Sequence, residues 1–180
     1  SILKDQILAF SDGEIAFEFS IPRIGHRVDV VLIIGGIVFL LEFKVGDSVY
    51  RKSTDDQVMD YALDLKYFHE ASKNRLIVPV CISTQAEAVD NCLTVMSDNI
   101  SQVVRCNQSN IGDNLKSILD TSRAPVLSME EWINSRYSPT PTIIEAAQAL
   151  YREHSVIDIS RNEAGAENLT STTQAVHRII

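Results

Sequence analysis

No stretch of this 180-residue chain is apolar for long enough to cross a membrane: the longest run, 28–41, is broken by Asp29 and by Gly35-Gly36, and a span needs roughly 20 apolar residues. The first residues, Ser1-Ile-Leu-Lys-Asp, lack the basic start, apolar stretch and small-residue cleavage site of a secretory signal. The three cysteines, Cys81, Cys92 and Cys106, are an odd number at spacings of neither a zinc site nor a Cys-x-x-Cys pair. They are expected to be buried thiols of a cytosolic protein. There is no Gly-x4-Gly-Lys-Ser/Thr phosphate loop, so the chain is expected neither to bind nor to hydrolyse ATP through one. Internal repeats and low-complexity tracts are also missing. What remains is the composition of an ordinary soluble domain, with a cytoplasmic location and no membrane partner expected.

Positive charge is scarce. With 24 acids against 16 bases the net charge is −8, which excludes binding nucleic acid by bulk electrostatics. The imbalance is uneven, however. Between positions 21 and 75 eight acids face eight bases, so the whole excess lies outside that stretch. An anionic ligand is expected to bind within it.

Periodicity assigns most of the elements. Leu3, Ile7 and Phe10 share a face of a helix over 2–10, which Ser11-Asp12-Gly13 ends. Residues 14–20 alternate, with Ile15, Phe17 and Phe19 on one side and Ala16 and Glu18 on the other, as a strand requires. Two β-rich runs, 27–34 and 37–45, flank Gly35-Gly36, a two-residue hairpin turn that needs positive φ at both positions. Ser53 and Thr54 are suited to cap a helix running to about 72, whose stripe is Val58, Tyr61, Ala62, Leu65, Phe68 and His69. Residues 75–83 form a nearly all-apolar strand, expected to be central and covered on both faces. Weaker signals place a helix over 86–93, a strand over 103–106 and a helix over 114–119. Ser138-Pro139-Thr140-Pro141-Thr142 reads as a linker, with Thr142 and Glu145 in capping-box spacing before a helix over 143–151. A last helix over 170–180 has no stop signal, so the C-terminus is expected to be a cut. The domains expected are 1–137 and a linker with helical extension, 138–180.

The hairpin register carries the chemistry. With Ile34 and Ile37 flanking the turn, Asp29 falls opposite Glu42, and Lys44 shares that face opposite Arg27. Directly opposed residues have Cβ atoms roughly 4.5–5.5 Å apart, and two carboxylates that close repel unless a positive charge sits between them. A divalent ion supplies it, with Lys44 beside it. The opposite face, Val28, Val30, Leu32 and Ile34 against Ile37, Phe39, Leu41 and Phe43, is apolar throughout. The alternative is a structural ion-pair quartet of Arg27, Asp29, Glu42 and Lys44. On the following helix Gln57 and Tyr61 stand at i and i+4, which sets an amide and a phenol beside the carboxylates. Their plainer roles are a capping-box partner of Thr54 and a packing residue.

Asp29-x12-Glu42-Phe43-Lys44 followed by Gln57-x3-Tyr61 resembles the PD-(D/E)xK superfamily of metal-dependent nucleases, specifically its RecB-type branch. Longer stretches resemble the N-terminal region of bacterial nuclease–helicase proteins, in which a Schlafen group 3-like, superfamily 1 motor follows. These are Ile-Pro-Arg-Ile-Gly-His-Arg-Val-Asp (21–29), Leu-Glu-Phe-Lys-Val-Gly (41–46), Asp-Gln-Val-Met-Asp-Tyr-Ala-Leu-Asp-Leu-Lys-Tyr-Phe-His (56–69) and Thr-Pro-Thr-Ile-Ile-Glu-Ala-Ala-Gln-Ala-Leu-Tyr (140–151). Val28 stands where the RecB-type branch commonly has proline.

The resemblance implies a restriction-endonuclease-like α/β core in α-β-β-β-α-β order with a C-terminal helical extension. It implies Mg²⁺- or Mn²⁺-dependent phosphodiester hydrolysis, of DNA before RNA, with a motor domain in cis in the full protein. Asp29, Glu42 and the Phe43 carbonyl would hold the ion, Lys44 would orient its water, and Gln57 and Tyr61 would position the phosphate or support Lys44. Such nucleases often place an upstream acid on the first helix; Asp5 lies there, but Glu18 on the first strand is the better candidate, a solvated strand glutamate being the alternative. Arg23, Arg27, Arg51 and Lys52 are candidate phosphate contacts. His26 is either a phosphate contact or an exposed loop residue, and His69 is a packing residue. The competing class is a catalytically inactive module of the same fold that grips nucleic acid or a partner protein.

Overall fold

The computed structural model describes residues 6, 7, 10, 12–22 and 25–138. The chain divides into two compact units, Ser1–Pro139 and Thr140–Ile180. The helices expected over 143–151 and 170–180 lie outside the described residues, as do Asp5, Arg23 and all but Gln6, Ile7 and Phe10 of the helix expected over 2–10. No helix among the described residues is long and apolar enough to cross a membrane.

The first unit is an α/β fold on one mixed sheet. Strands β1 (Glu14–Ser20), β2 (Arg27–Ile34) and β3 (Ile37–Lys44) run antiparallel in chain order. Helix α1 (Lys52–Phe68) and a 3₁₀ turn (Glu70–Ser72) then lead to β4 (Ile77–Ser83), which pairs parallel with β3. β5 (Val104–Cys106) adds parallel to β4, followed by α2 (Ile111–Thr121) and α3 (Met129–Ile133). The strand order is β1-β2-β3-β4-β5.

Alternation along the strands sorts the apolar residues into two cores. Leu32, Ile34, Phe39, Leu41, Val78 and Val80 face α2 and its Ile111, Leu115 and Ile118. Val31, Ile33, Val38, Leu40 and Ile77 face α1, where Val58, Tyr61, Ala62 and Leu65 form the expected stripe, with Trp132 of α3 closing the layer. β4 is buried along its whole length, as expected of a central strand. Its Pro79 has no N–H to give, and the ladder to β5 begins only at Val80.

The β2–β3 turn is the expected two-glycine turn: φ is +56° at Gly35 and +72° at Gly36. At Gly36 glycine is required twice over, because a Cβ there would also collide with the Pro125 carbonyl oxygen.

Several local expectations fail. α1 starts from Arg51 as its N-cap in extended geometry, with no side-chain cap, so Ser53 and Thr54 lie inside the helix and Thr54 is buried. It also ends at Phe68, not near 72. The helix expected over 86–93 is irregular chain: residues 87–90 are all exposed, so no apolar face repays the cost of nucleating a short helix. Val28 packs in the α1-side core with Val31 and Ile33, not with Val30 and Leu32. Likewise Phe19 packs on the α1 side with Ala16, while Ile15 packs on the other and Phe17 is exposed. Both alternations change hands at one place, Glu18 and Asp29, where Glu18 takes a φ of +54° that breaks the pleat. Finally, Cys81 and Cys106 are buried as expected but Cys92 is exposed.

Candidate functional site

The β2–β3 register is the one the two-residue turn dictates, from Ile34↔Ile37 to Val30↔Leu41. The ladder stops there, one step short of Asp29 and Glu42. β2 turns away at Asp29, and the Asp29 side chain reaches across instead: its Oδ2 accepts the Phe43 N–H at 2.9 Å. A half-buried carboxylate therefore takes up a strand N–H at the point where the pairing ends.

Glu42 lies deeper, with only 4% of its surface exposed. β4 runs along its other side, with Glu42 in register with Cys81. Lys44 Nζ donates to Glu42 Oε1 at 2.7 Å, and Gln57 Nε2 donates to the same oxygen at 3.0 Å. Gln57 Oε1 in turn accepts from Lys44 at 3.4 Å, and Gln57 Nε2 also donates to the Tyr61 hydroxyl at 2.6 Å. The i, i+4 spacing on α1 thus brings the amide and the phenol to the acidic end of the hairpin. Glu42 Oε2 is buried and has no hydrogen-bond partner among the described residues.

The electrostatics follow from burial. Desolvation pushes the Glu42 carboxyl above the ordinary glutamate range; the Lys44 hydrogen bond opposes this and the Asp29 charge adds to it. Burial works against charge on Lys44, but the hydrogen bond and charge of Glu42, with Asp29 and Tyr61, outweigh it and hold the ammonium above the ordinary lysine value.

The quartet alternative does not form as drawn. Lys44 goes to Glu42, whereas Arg27 goes to Glu18 at 2.5 Å, both largely exposed. Glu18, the candidate upstream ligand, is thereby engaged on the edge strand. Arg51 is paired with Asp47 at 3.0 Å, while Lys52 is exposed without an ion pair among the described residues. His26 is exposed in the β1–β2 loop, its ring 5.6 Å from that of Tyr61. His69 is buried as the packing reading expected, with Nδ1 2.8 Å from Ser72 Oγ and its ring edge-on to Trp132.

Sequence reasoning missed Arg105. Register places it in one row with Glu42 and Cys81, on β5, β3 and β4. Its guanidinium holds Asp55 of α1 through Nη2 at 2.5 Å and Nε at 3.1 Å and lies over the Tyr50 ring at 6.0 Å. Only the parallel pairing of β5, 24 residues beyond its partners on β4, brings this residue to the site.

Among the described residues no group of three or more His, Cys, Asp or Glu side chains gathers around a common point. The site is a two-carboxylate arrangement with one ammonium, one amide and one phenol. The chain matches no protein-family model, no curated protein and no solved structure.

Proposed function

We propose that this chain is a metal-dependent nuclease domain with a restriction-endonuclease-like core, cleaving phosphodiester bonds of DNA. The observation that carries the reading is the convergence of Asp29, Glu42, Lys44, Gln57 and Tyr61 at one end of the β2–β3 hairpin, with the buried Glu42 Oε2 left without a partner. A partnerless buried carboxylate oxygen beside a second carboxylate suits a cation. The donor set, two carboxylates and the Phe43 carbonyl with the remaining positions left to water and phosphate, suits Mg²⁺ or Mn²⁺. Glu18 is paired with Arg27 and would have to leave that pair to serve as a further ligand.

When bound, such an ion lowers the pKa of a coordinated water and neutralises charge on the phosphate. The chain's own residues do the rest. Asp29 and Glu42 hold the ion, and Asp29 is oriented by the Phe43 N–H. Lys44, ion-paired to Glu42, acts as an electrostatic group. It orients the attacking water and stabilises charge developing on phosphate oxygens. Gln57 bonds to both Glu42 and Lys44 and holds their pair in place, and Tyr61 fixes Gln57. Lys52 is an available phosphate contact, while Arg27 and Arg51 must first yield Glu18 and Asp47. The resemblance extends the reading to a nuclease–helicase with a motor in cis.

A second reading, the same fold kept without catalysis to grip nucleic acid or a partner, draws on the Lys44–Glu42 pair, which already compensates a buried carboxylate. Digestion of plasmid and labelled oligonucleotides with Mn²⁺ or Mg²⁺, beside Lys44→Ala and with metal binding measured by calorimetry, separates the two. Metal binding with Lys44-dependent cleavage supports the nuclease. No calorimetric metal site and no cleavage would leave the non-catalytic module.

A further inference from the structure

Beside Arg105 a cleft of about 410 Å³ opens between β5 and the irregular segment that replaces the expected helix. Asn91 fastens that segment to the sheet edge: its Oδ1 accepts the Arg105 N–H at 3.0 Å and its Nδ2 donates to the Arg105 carbonyl at 2.9 Å. The cleft is lined by Asp55, Asp90, Asn91, Cys92, Gln102 and Arg105. Adjacent strands lie about 4.8 Å apart, so the Arg105 backbone, two strands from Glu42 in the same row, is about 10 Å from that of Glu42 along the sheet.

Resting on the nuclease reading, we propose that this cleft is the subsite for a nucleotide flanking the scissile phosphate, its base inside and its phosphate on Arg105. The amide groups of Asn91 and Gln102 and the carboxylates of Asp55 and Asp90 offer donors and acceptors for the edge of a base. Both carboxylates repel phosphate, which keeps the strand's backbone outside the cleft. Arg105 is suited to hold it there. Asp55 occupies Nη2 and Nε, leaving Nη1 unengaged among the described residues, and the side chain is 46% exposed. A guanidinium held in this way by a carboxylate and an aromatic ring is already oriented, so less freedom is lost when it grips a phosphate.

The chain carries its own reporter. Cys92 is exposed in the cleft, while Cys81 and Cys106 are buried, their thiols pushed up by desolvation to about 11 and about 12. The native protein should therefore react with a maleimide first at Cys92. A single-stranded DNA 12-mer, added in EDTA so that metal-dependent cleavage does not consume it, should slow that reaction at least fivefold at saturation. By fluorescence anisotropy Arg105→Ala should weaken 12-mer binding about tenfold. Gln102→Glu, an exposed change that does not touch the ion pair, should weaken it about fivefold. Cys92 reacting at an unchanged rate under saturating DNA, full affinity in both variants, or no binding by the parent chain would each overturn the subsite. Protection of Cys92 without any Mn²⁺-dependent cleavage would sustain the subsite and remove the nuclease reading. Cleavage without protection would do the reverse.

Discussion

Replacing Lys44 by methionine keeps the side chain's apolar stem and removes its charge, so it isolates what the ammonium does for Glu42. Breaking a buried ion pair costs about 3–5 kcal/mol because a charge is left uncompensated, whereas exposed pairs contribute about 0.2–1 kcal/mol. Here the Glu42 side chain is 5% exposed and the Lys44 side chain 30%. Gln57 still donates to Glu42 Oε1 after the change. The case lies between the limits, and we expect a loss of about 2 kcal/mol in EDTA, which for a chain of this size lowers Tm by about 4–8 °C. Mn²⁺ should then recover more stability in the variant than in the parent, because in the parent Lys44 already supplies part of the positive charge that the ion would bring. Cleavage should fall by a factor of 100 or more with metal still bound, since the role assigned to Lys44 belongs to the transition state. Thermal melts of both proteins with and without Mn²⁺, beside single-turnover cleavage, test this chain of reasoning. Equal melting temperatures in EDTA would refute the pairing energetics. A loss that Mn²⁺ does nothing to restore would refute the claim that an ion answers the same need.

Glu42→Ala deletes a ligand together with a carboxylate whose ionised form burial disfavours, so calorimetry should register weaker Mn²⁺ binding and cleavage should be lost, while the EDTA melting temperature stays within a few degrees of the parent. Gly36→Ala must place a Cβ in a left-handed backbone, at about 1–2 kcal/mol, and against the Pro125 carbonyl oxygen; urea denaturation should give a total loss of at least about 3 kcal/mol. Burial holds the His69 pKa below its ordinary value, with the Trp132 and Glu70 contributions working the other way. The folded state therefore disfavours the proton. The stabilisation from neutral His69 is present above an unfolded pKa of about 6.5 and fades as the pH drops through the folded value. A urea midpoint that declines from pH 7 to 5, and declines less in His69→Gln, is the expected result. Binding of DNA should weaken with added salt, and an affinity unaffected by ionic strength would count against phosphate contacts.

Much of the candidate site was legible in the sequence because its determinants are local. Gly35-Gly36 sets the register of its own hairpin, so the approach of Asp29 to Glu42 follows from counting, and a 3.6-residue period places Gln57 and Tyr61 on one face of α1. What distance along the chain conceals is different in kind. The sequence pattern continued the ladder to Asp29 and Glu42. It ends earlier, because the backbone reverses its facing at Glu18 and Asp29, and that reversal depends on how β1, β2 and α3 pack together. The partner of Arg27 turned out to be Glu18 because the edge strand β1, paired only with β2, supplied a nearer carboxylate than β3 did. Residues 86–93 have enough helix formers to suggest a helix, but only Ala86 and Leu93 at the two ends meet the core while 87–90 are exposed, and Asn91 ties the segment to β5 as irregular chain. Arg105 was invisible for the same reason: no turn or period connects it to Glu42. Parallel strands meet only when the whole sheet assembles, since each pairing bridges a long crossover whose closure entropy is repaid by contacts elsewhere.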